Sequence, residues 1–143
     1  MEYSASERRV TVNAVTWSPT RGDHLEFDLD AVGLGEVRAA ARRLLAGCSG
    51  VVIEDAVQVC DELACNALRH AHPARACRLL LIDAARFRVE VDDASPVRPR
   101  IRRPDRTGGR GLILVEQLAA CWGVDPRGTG KTMWAELGTG ACG

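Results

Sequence analysis

Lysine is almost missing from this 143-residue chain: Lys131 is the only one, and every other cation is an arginine. The skew is compositional and by itself assigns no chemistry. Net charge is missing too, because 19 basic and 19 acidic residues cancel. No global field therefore draws the chain to nucleic acid or to a membrane surface. No run approaches the roughly 20 apolar residues of a membrane span, and Met1-Glu2-Tyr3-Ser4 opens no signal peptide. The expected location is the cytoplasm, with no membrane partner. Cys48, Cys60, Cys65, Cys77, Cys121 and Cys142 contain no Cys-x-x-Cys pair and no finger-like spacing. Free thiols acting as small buried hydrophobes are the expected use. His70-Ala71-His72 lacks a third metal ligand. The length suits one domain with a substantial core.

What the chain has is periodicity. Residues 1–9 are polar and expected to fray. Val10 to Trp17 alternates and is β-branched, as a strand does; Pro19 to Gly22 reads as a turn and His24 to Leu29 as a second short strand. A helix is expected from Leu34, with Val37, Ala40, Ala41, Leu44 and Leu45 inward and Gly47 as its stop. A second helix runs from about Val52 to His70, closed by Pro73. Ile53, Ala56, Val57, Cys60, Leu63, Ala64, Ala67 and Leu68 form its i, i+3, i+4 stripe. Arg75 to Ile82 and Arg86 to Asp92 read as a hairpin across Asp83-Ala84-Ala85.

Periodicity then stops from 94 to 110. This stretch holds Pro96, Pro99 and Pro104 with Arg98, Arg100, Arg102, Arg103 and Arg106, and a segment of that length is functional or disordered. Gly108-Gly109-Arg110-Gly111 opens a third helix with Leu112, Val115, Leu118 and Ala119 on its apolar face and Gly123 as its stop. Lys131 to Leu137 is the last expected strand, and 139–143 a tail. Strands in runs with helices grouped imply an α/β (α+β two-layer) sandwich, one mixed sheet with helices on one face, in a single domain over 10–138.

Three features carry chemistry. Glu62, Asn66 and His70 stand four residues apart, so they form a ridge with steps of about 6 Å along the helix. A carboxylate and a carboxamide stacked in this way can orient a proton acceptor beside a hydrated metal ion; the alternative is a solvated stripe with a helix-stabilising pair. Second, Asp93 at a strand end is placed to accept a hydrogen bond in a pocket at the sheet edge, as an adenine amino group requires, or simply starts a turn. Third, Gly108, Gly109 and Gly111 let backbone N–H groups approach phosphate at a helix N-terminus. Together they specify a nucleotide–magnesium pocket. Gly128-Thr129-Gly130-Lys131-Thr132 imitates the tail of a P-loop, but Asp125 stands where that motif needs glycine, and Met133 to Leu137 alternates like a strand. It is not a Walker motif.

Glu62-Leu63-Ala64-Cys65-Asn66-Ala67-Leu68-Arg69-His70-Ala71, Asp93-Ala94-Ser95-Pro96, Gly108-Gly109-Arg110-Gly111-Leu112 and Gly130-Lys131-Thr132-Met133-Trp134 occur in this order. In these four segments the sequence resembles the gyrase/histidine-kinase (GHKL) ATPase superfamily with its Bergerat nucleotide fold, over about Val10 to Leu137. Within it, the chain is similar to the small actinobacterial anti-sigma-factor serine/threonine kinases (RsbW-like). The resemblance implies a mostly antiparallel sheet. It implies that Asn66 coordinates Mg2+ on the ATP phosphates, that Glu62 is the general base toward a protein hydroxyl, and that Asp93 binds the adenine amino group with Thr132 nearby. By the same motifs His70, Ser95, Gly108, Gly109, Arg110, Gly111 and Leu112 line the nucleotide site, and 94–110 is a lid. Sensor histidine kinases usually carry Asn where Glu62 stands, which favours the serine-kinase branch.

The implied partners are an anti-sigma-factor antagonist of STAS type, a sigma factor and a second copy in a homodimer. The superfamily's first glycine box, Asp-x-Gly-x-Gly, departs here to Ser95 and Val97. Two functions follow as expectations: an ATP-dependent serine/threonine kinase and anti-sigma factor that phosphorylates the antagonist, or a catalytically weak nucleotide-binding switch that grips a partner without phosphorylating it. Direct nucleic-acid binding by the arginine-rich loop ranks last, because the loop lacks aromatic residues.

Overall fold

The computed structural model describes residues 9–11, 24–95 and 111–139. In chain order these form β1 (Arg9–Thr11), β2 (His24–Asp28), α1 (Leu34–Leu45), α2 (Ile53–His70), β3 (Ala76–Asp83), β4 (Arg86–Asp93), α3 (Gly111–Leu118), β5 (Cys121–Arg127) and β6 (Gly130–Gly138). The expected helix from Leu34 and the Glu62 helix stand within a residue of their expected bounds. Of the expected first strand, Val10 to Trp17, only Val10 and Thr11 are described, and the strand there already includes Arg9, which was expected to fray; most of the stretch from 94 to 110 lies outside the described residues.

One six-stranded sheet runs β1-β2-β3-β4-β6-β5. Among the described strands only the β1–β2 pairing is parallel; every other neighbour is antiparallel. The sheet is thus mixed and mostly antiparallel, as expected. The β3–β4 hairpin turns on Ala84-Ala85 because Asp83 organises it: Oδ1 accepts the Ala85 N–H at 2.8 Å and Oδ2 accepts from Arg86 Nε at 2.8 Å. The β5–β6 hairpin turns at Gly128, whose φ of +57° lies in the left-handed region that glycine enters without steric cost.

Strand alternation divides the sheet into two unlike faces. Cys77, Leu79 and Leu81 of β3, Phe87, Val89 and Val91 of β4, and Met133, Ala135 and Leu137 of β6 point to the helices and are buried. Against them lie Val37, Ala40, Ala41, Leu44 and Leu45 of α1 and Ala56, Val57, Val59, Cys60, Leu63, Ala64 and Ala67 of α2. α2 is the hub: it packs on α1, α3, β4 and β6. Its last turn is held by Arg75, whose Nη1 donates to the carbonyls of Ala67, Leu68 and Ala71 while its guanidinium pairs with Asp30 at 2.6 Å. That single cation adds a donor at the last carbonyls of the helix and suits the negative end of its dipole.

The other face carries charge across the sheet. Arg78 bridges Glu90 (2.9 Å) and Asp92 (2.6 Å), and Arg88 bridges Glu90 (2.7 Å) and Glu136 (2.7 Å). Arg88 also lies 4.4 Å from the centroid of the Trp134 ring. These groups are buried or nearly so, where a solvent-facing strand side would leave them wet.

Two expectations need correction. Gly123 does not stop α3. The helix ends at Leu118, and Gly123 lies inside β5, an edge strand unforeseen from sequence; a Cβ there would stand 2.8 Å from the Trp134 ring. Nor are all the thiols free: Cys121 is disulfide-bonded, whereas Cys48, Cys60, Cys65 and Cys77 are free. Burial pushes the Cys60 thiol well up and that of Cys77 up to about 12, so both behave as small hydrophobes.

Candidate functional site

α2 carries the polar ridge along the edge of its apolar stripe. Glu62 and Asn66 are half-buried, and His70 is exposed in the last turn. Gln58 Nε2 donates to Glu62 Oε1 at 3.4 Å, one turn earlier on the helix. Asn66 reaches the sheet: its Nδ2 donates to Met133 Sδ at 3.4 Å. That contact turns the amide nitrogen inward and leaves Oδ1, a hard oxygen of the type magnesium prefers, outside it. Among the described residues no three His, Cys, Asp or Glu side chains cluster as a metal site. A magnesium ion fits this chemistry, because it usually keeps several waters and binds through one or two protein oxygens and the substrate's phosphates.

Two residues along β6 from Met133, on the same face, stands Lys131. Its register partner on β4 is Asp93. Lys131 Nζ lies 3.0 Å from each Asp93 oxygen and donates to Ser95 O at 3.2 Å. The Ser95 N–H in turn donates to Asp93 Oδ1 at 2.8 Å. Gly130 permits this crowding: a Cβ there would sit 2.0 Å from the Asp93 carbonyl oxygen. The Ala94 N–H donates to His72 O at 3.0 Å, which ties the end of β4 to the segment leaving α2. Asn66, through Met133, and Asp93, through Lys131, are thus carried two residues apart along β6, with Ser95 just past the end of β4; Glu62 and His70 stand one turn to either side of Asn66 on α2. α3 starts at Gly111, packs against α2, and buries Leu112.

Not every expected residue joins this group. Asp93 is at a strand end but not at the sheet edge, since β4 lies between β3 and β6. Thr132 turns to the opposite face, where its hydroxyl donates to Asp92 Oδ1 at 2.6 Å. The cause is strand alternation, which gives Lys131 and Thr132 opposite faces. Gly108, Gly109 and Arg110 lie outside the described residues. Asp92 is a different kind of group from its neighbour. Burial alone would push its carboxyl up, but hydrogen bonds from Arg78, Thr132 and Arg127 outweigh this and hold it down at about 2. It is a fixed anion of the charged face.

Lys131 is the residue that the motifs did not single out: within the Gly130–Trp134 segment only Thr132 carried an expected role. The alternation of β6 was the available signal: 131, 133, 135 and 137 share a face, and three of them are apolar.

The model of the histidine kinase-like ATPase domain matches residues 27–136, a span from β2 to β6 that contains every group just described. The chain belongs to this family. ATPase domains of this kind bind ATP, so the histidine kinase-like ATPase domain has an ATP-binding, kinase-like role. No curated protein matches it. Among solved structures it resembles the RsbU and RsbW domains of Rv1364c from Mycobacterium tuberculosis, with 21% identity and a TM-score of 0.58 over 80% of this chain and 32% of that one. Two structures from Erythrobacter litoralis also match with a TM-score of 0.46. One is the EL346 blue-light activated histidine kinase (25% identity, 73% of this chain, 40% of that one) and the other its histidine kinase domain (21%, 87% and 65%). The chain spans about a third of the first of these structures, and the likeness is one of fold.

Proposed function

We propose that this histidine kinase-like ATPase domain is an ATP-dependent serine/threonine protein kinase and anti-sigma factor, acting on an anti-sigma-factor antagonist of STAS type and binding a sigma factor. The observation that supports this most is the Asn66–Met133 contact, which sets the Glu62/Asn66 ridge against the strands that end in Asp93 and Lys131. In this reading the Asn66 Oδ1 holds magnesium, which when bound neutralises phosphate charge. Asp93 accepts from the amino group of the base, and the first turn of α3 offers backbone N–H groups to phosphate. Glu62 takes the proton of the substrate hydroxyl. Phosphoryl transfer depends chiefly on such positioning and charge neutralisation. A second copy of the chain is a further proposed partner.

A second reading has an observation of its own. The Asp93 carboxylate is already engaged by Lys131 and by the Ser95 N–H, with Ser95 where the superfamily has glycine. This favours a switch that binds nucleotide and partner without transferring phosphate. Incubation with labelled ATP and candidate antagonists, followed by phosphoserine analysis, separates the two. Label on the antagonist that disappears in Glu62→Ala, with ATP binding retained, is the expected result. Full kinase activity in Glu62→Ala would remove the base assignment, and nucleotide-dependent partner binding without label would establish the switch.

A further inference from the structure

In the ATP-binding reading above, on which this proposal rests, Asp93 must present an oxygen to the base in a fixed direction. An aspartate carboxylate turns about two side-chain bonds, so one hydrogen bond does not fix its plane. The Ser95 N–H supplies one anchor, to Oδ1 at 2.8 Å. The Lys131 ammonium supplies the other. It lies 3.0 Å from each carboxylate oxygen and also donates to Ser95 O at 3.2 Å. Asp93, Ser95 and Lys131 thereby close a ring of polar contacts across the β4–β6 pair, in which Asp93 and Lys131 are register partners.

Without the lysine, Asp93 keeps a single anchor on Oδ1, about which Oδ2 is free to swing. Its charge is stranded as well. The Asp93 side chain is 2% exposed and that of Lys131 6%, and Lys131 is the ion-pair partner of Asp93 among the described residues. A buried carboxylate that loses its cation is left uncompensated, which favours any rotamer that reaches water or another donor. Thr132 is no substitute, because its hydroxyl donates to Asp92 on the opposite face. With the lysine in place, Oδ2 meets Lys131 only and keeps a lone pair for a further donor.

We propose that Lys131 is the positioning residue of the base subsite: it holds the Asp93 carboxylate in one orientation, with Oδ2 open to the amino group of adenine. It acts through Asp93 and not by touching the base. Its contribution is therefore confined to nucleotides whose base carries that amino group, whereas a lysine that only supported the fold would serve every nucleotide alike.

The test is calorimetric binding of two magnesium nucleotides, ATP and purine riboside triphosphate, which lacks the 6-amino group. Both are titrated into the full chain and into Lys131→Met, with Lys131→Gln in its place if the apolar variant does not fold. Wild type should prefer ATP by about tenfold or more, the worth of a hydrogen bond to a charged group. The variant should bring the two nucleotides within about threefold of each other, through weaker ATP binding, with purine riboside triphosphate held within about threefold of its wild-type affinity. A variant that keeps the full ATP preference, or that loses both nucleotides equally, would overturn the proposal while leaving ATP binding by wild type intact. A wild type that binds the two equally would remove the Asp93–amino contact together with the proposal. Absence of binding to both would overturn the proposed function as well.

Discussion

Replacing Arg88 with methionine should be among the most destabilising single changes on the charged face of the sheet. The guanidinium is 6% exposed and donates at 2.7 Å both to Glu90 and to Glu136. Glu90 survives the loss, because Arg78 still pairs with it at 2.9 Å. Glu136 does not: its side chain is 2% exposed, Arg88 is its ion-pair partner among the described residues, and its Oε1 has no hydrogen-bond partner there. The substitution therefore strands one buried carboxylate, a loss of about 3–5 kcal/mol. The cation–π contact with Trp134 adds roughly 0.5–1 kcal/mol. Glu136→Met should cost less, about 1–3 kcal/mol, since Arg88 keeps Glu90. The double variant, with two apolar side chains in place of the pair, should fall within about 2 kcal/mol of wild type. Urea denaturation of the four proteins reads these values from the midpoints, provided the slope m is unchanged. A loss of under about 1 kcal/mol in Arg88→Met, or a double variant whose loss equals the sum of the singles, would refute the reasoning.

The remaining predictions concern acid and the proposed base. Asp92, held down at about 2, stabilises the fold above its unfolded pKa near ~3.9 and loses that contribution as pH falls through 2, an effect of about 2 kcal/mol. The stability gap between wild type and Asp92→Asn should therefore narrow by about that amount between pH 5 and pH 2; a constant gap would show that the ion pairs do not perturb the carboxyl. Glu62→Ala should unfold within about 0.5 kcal/mol of wild type, because the residue lies partly exposed and makes one long side-chain hydrogen bond. Losing the fold rather than phosphoryl transfer would mark Glu62 as structural.

Much of the helical layer was legible from sequence because its signal is local. The five inward residues expected of α1 are all buried, and six of the eight expected on α2 are buried, with Ile53 and Leu68 packed at the margin. The β3–β4 hairpin was legible for the same reason. β5 was not: Gly123 and Pro126 break the strand pattern, and its edge position tolerates a proline that an inner strand would not. The charged face was hidden by its own alternation. Arg88, Glu90 and Asp92 alternate as a wet strand side does, and only pairing to Arg78 and Glu136 on neighbouring strands shows them buried or nearly so. At the candidate site, the α2 ridge and Asp93 could be picked out singly. That Lys131 rather than Thr132 faces Asp93 depends on the β4–β6 register, which no local pattern encodes.

Titration of ATP into the full chain with and without magnesium, repeated on Asn66→Ala, tests the nucleotide site most directly. Binding to wild type that needs magnesium, and that weakens by tenfold or more in a folded Asn66→Ala, is expected. Magnesium-independent binding that Asn66→Ala leaves unchanged, or no binding by wild type, would contradict it.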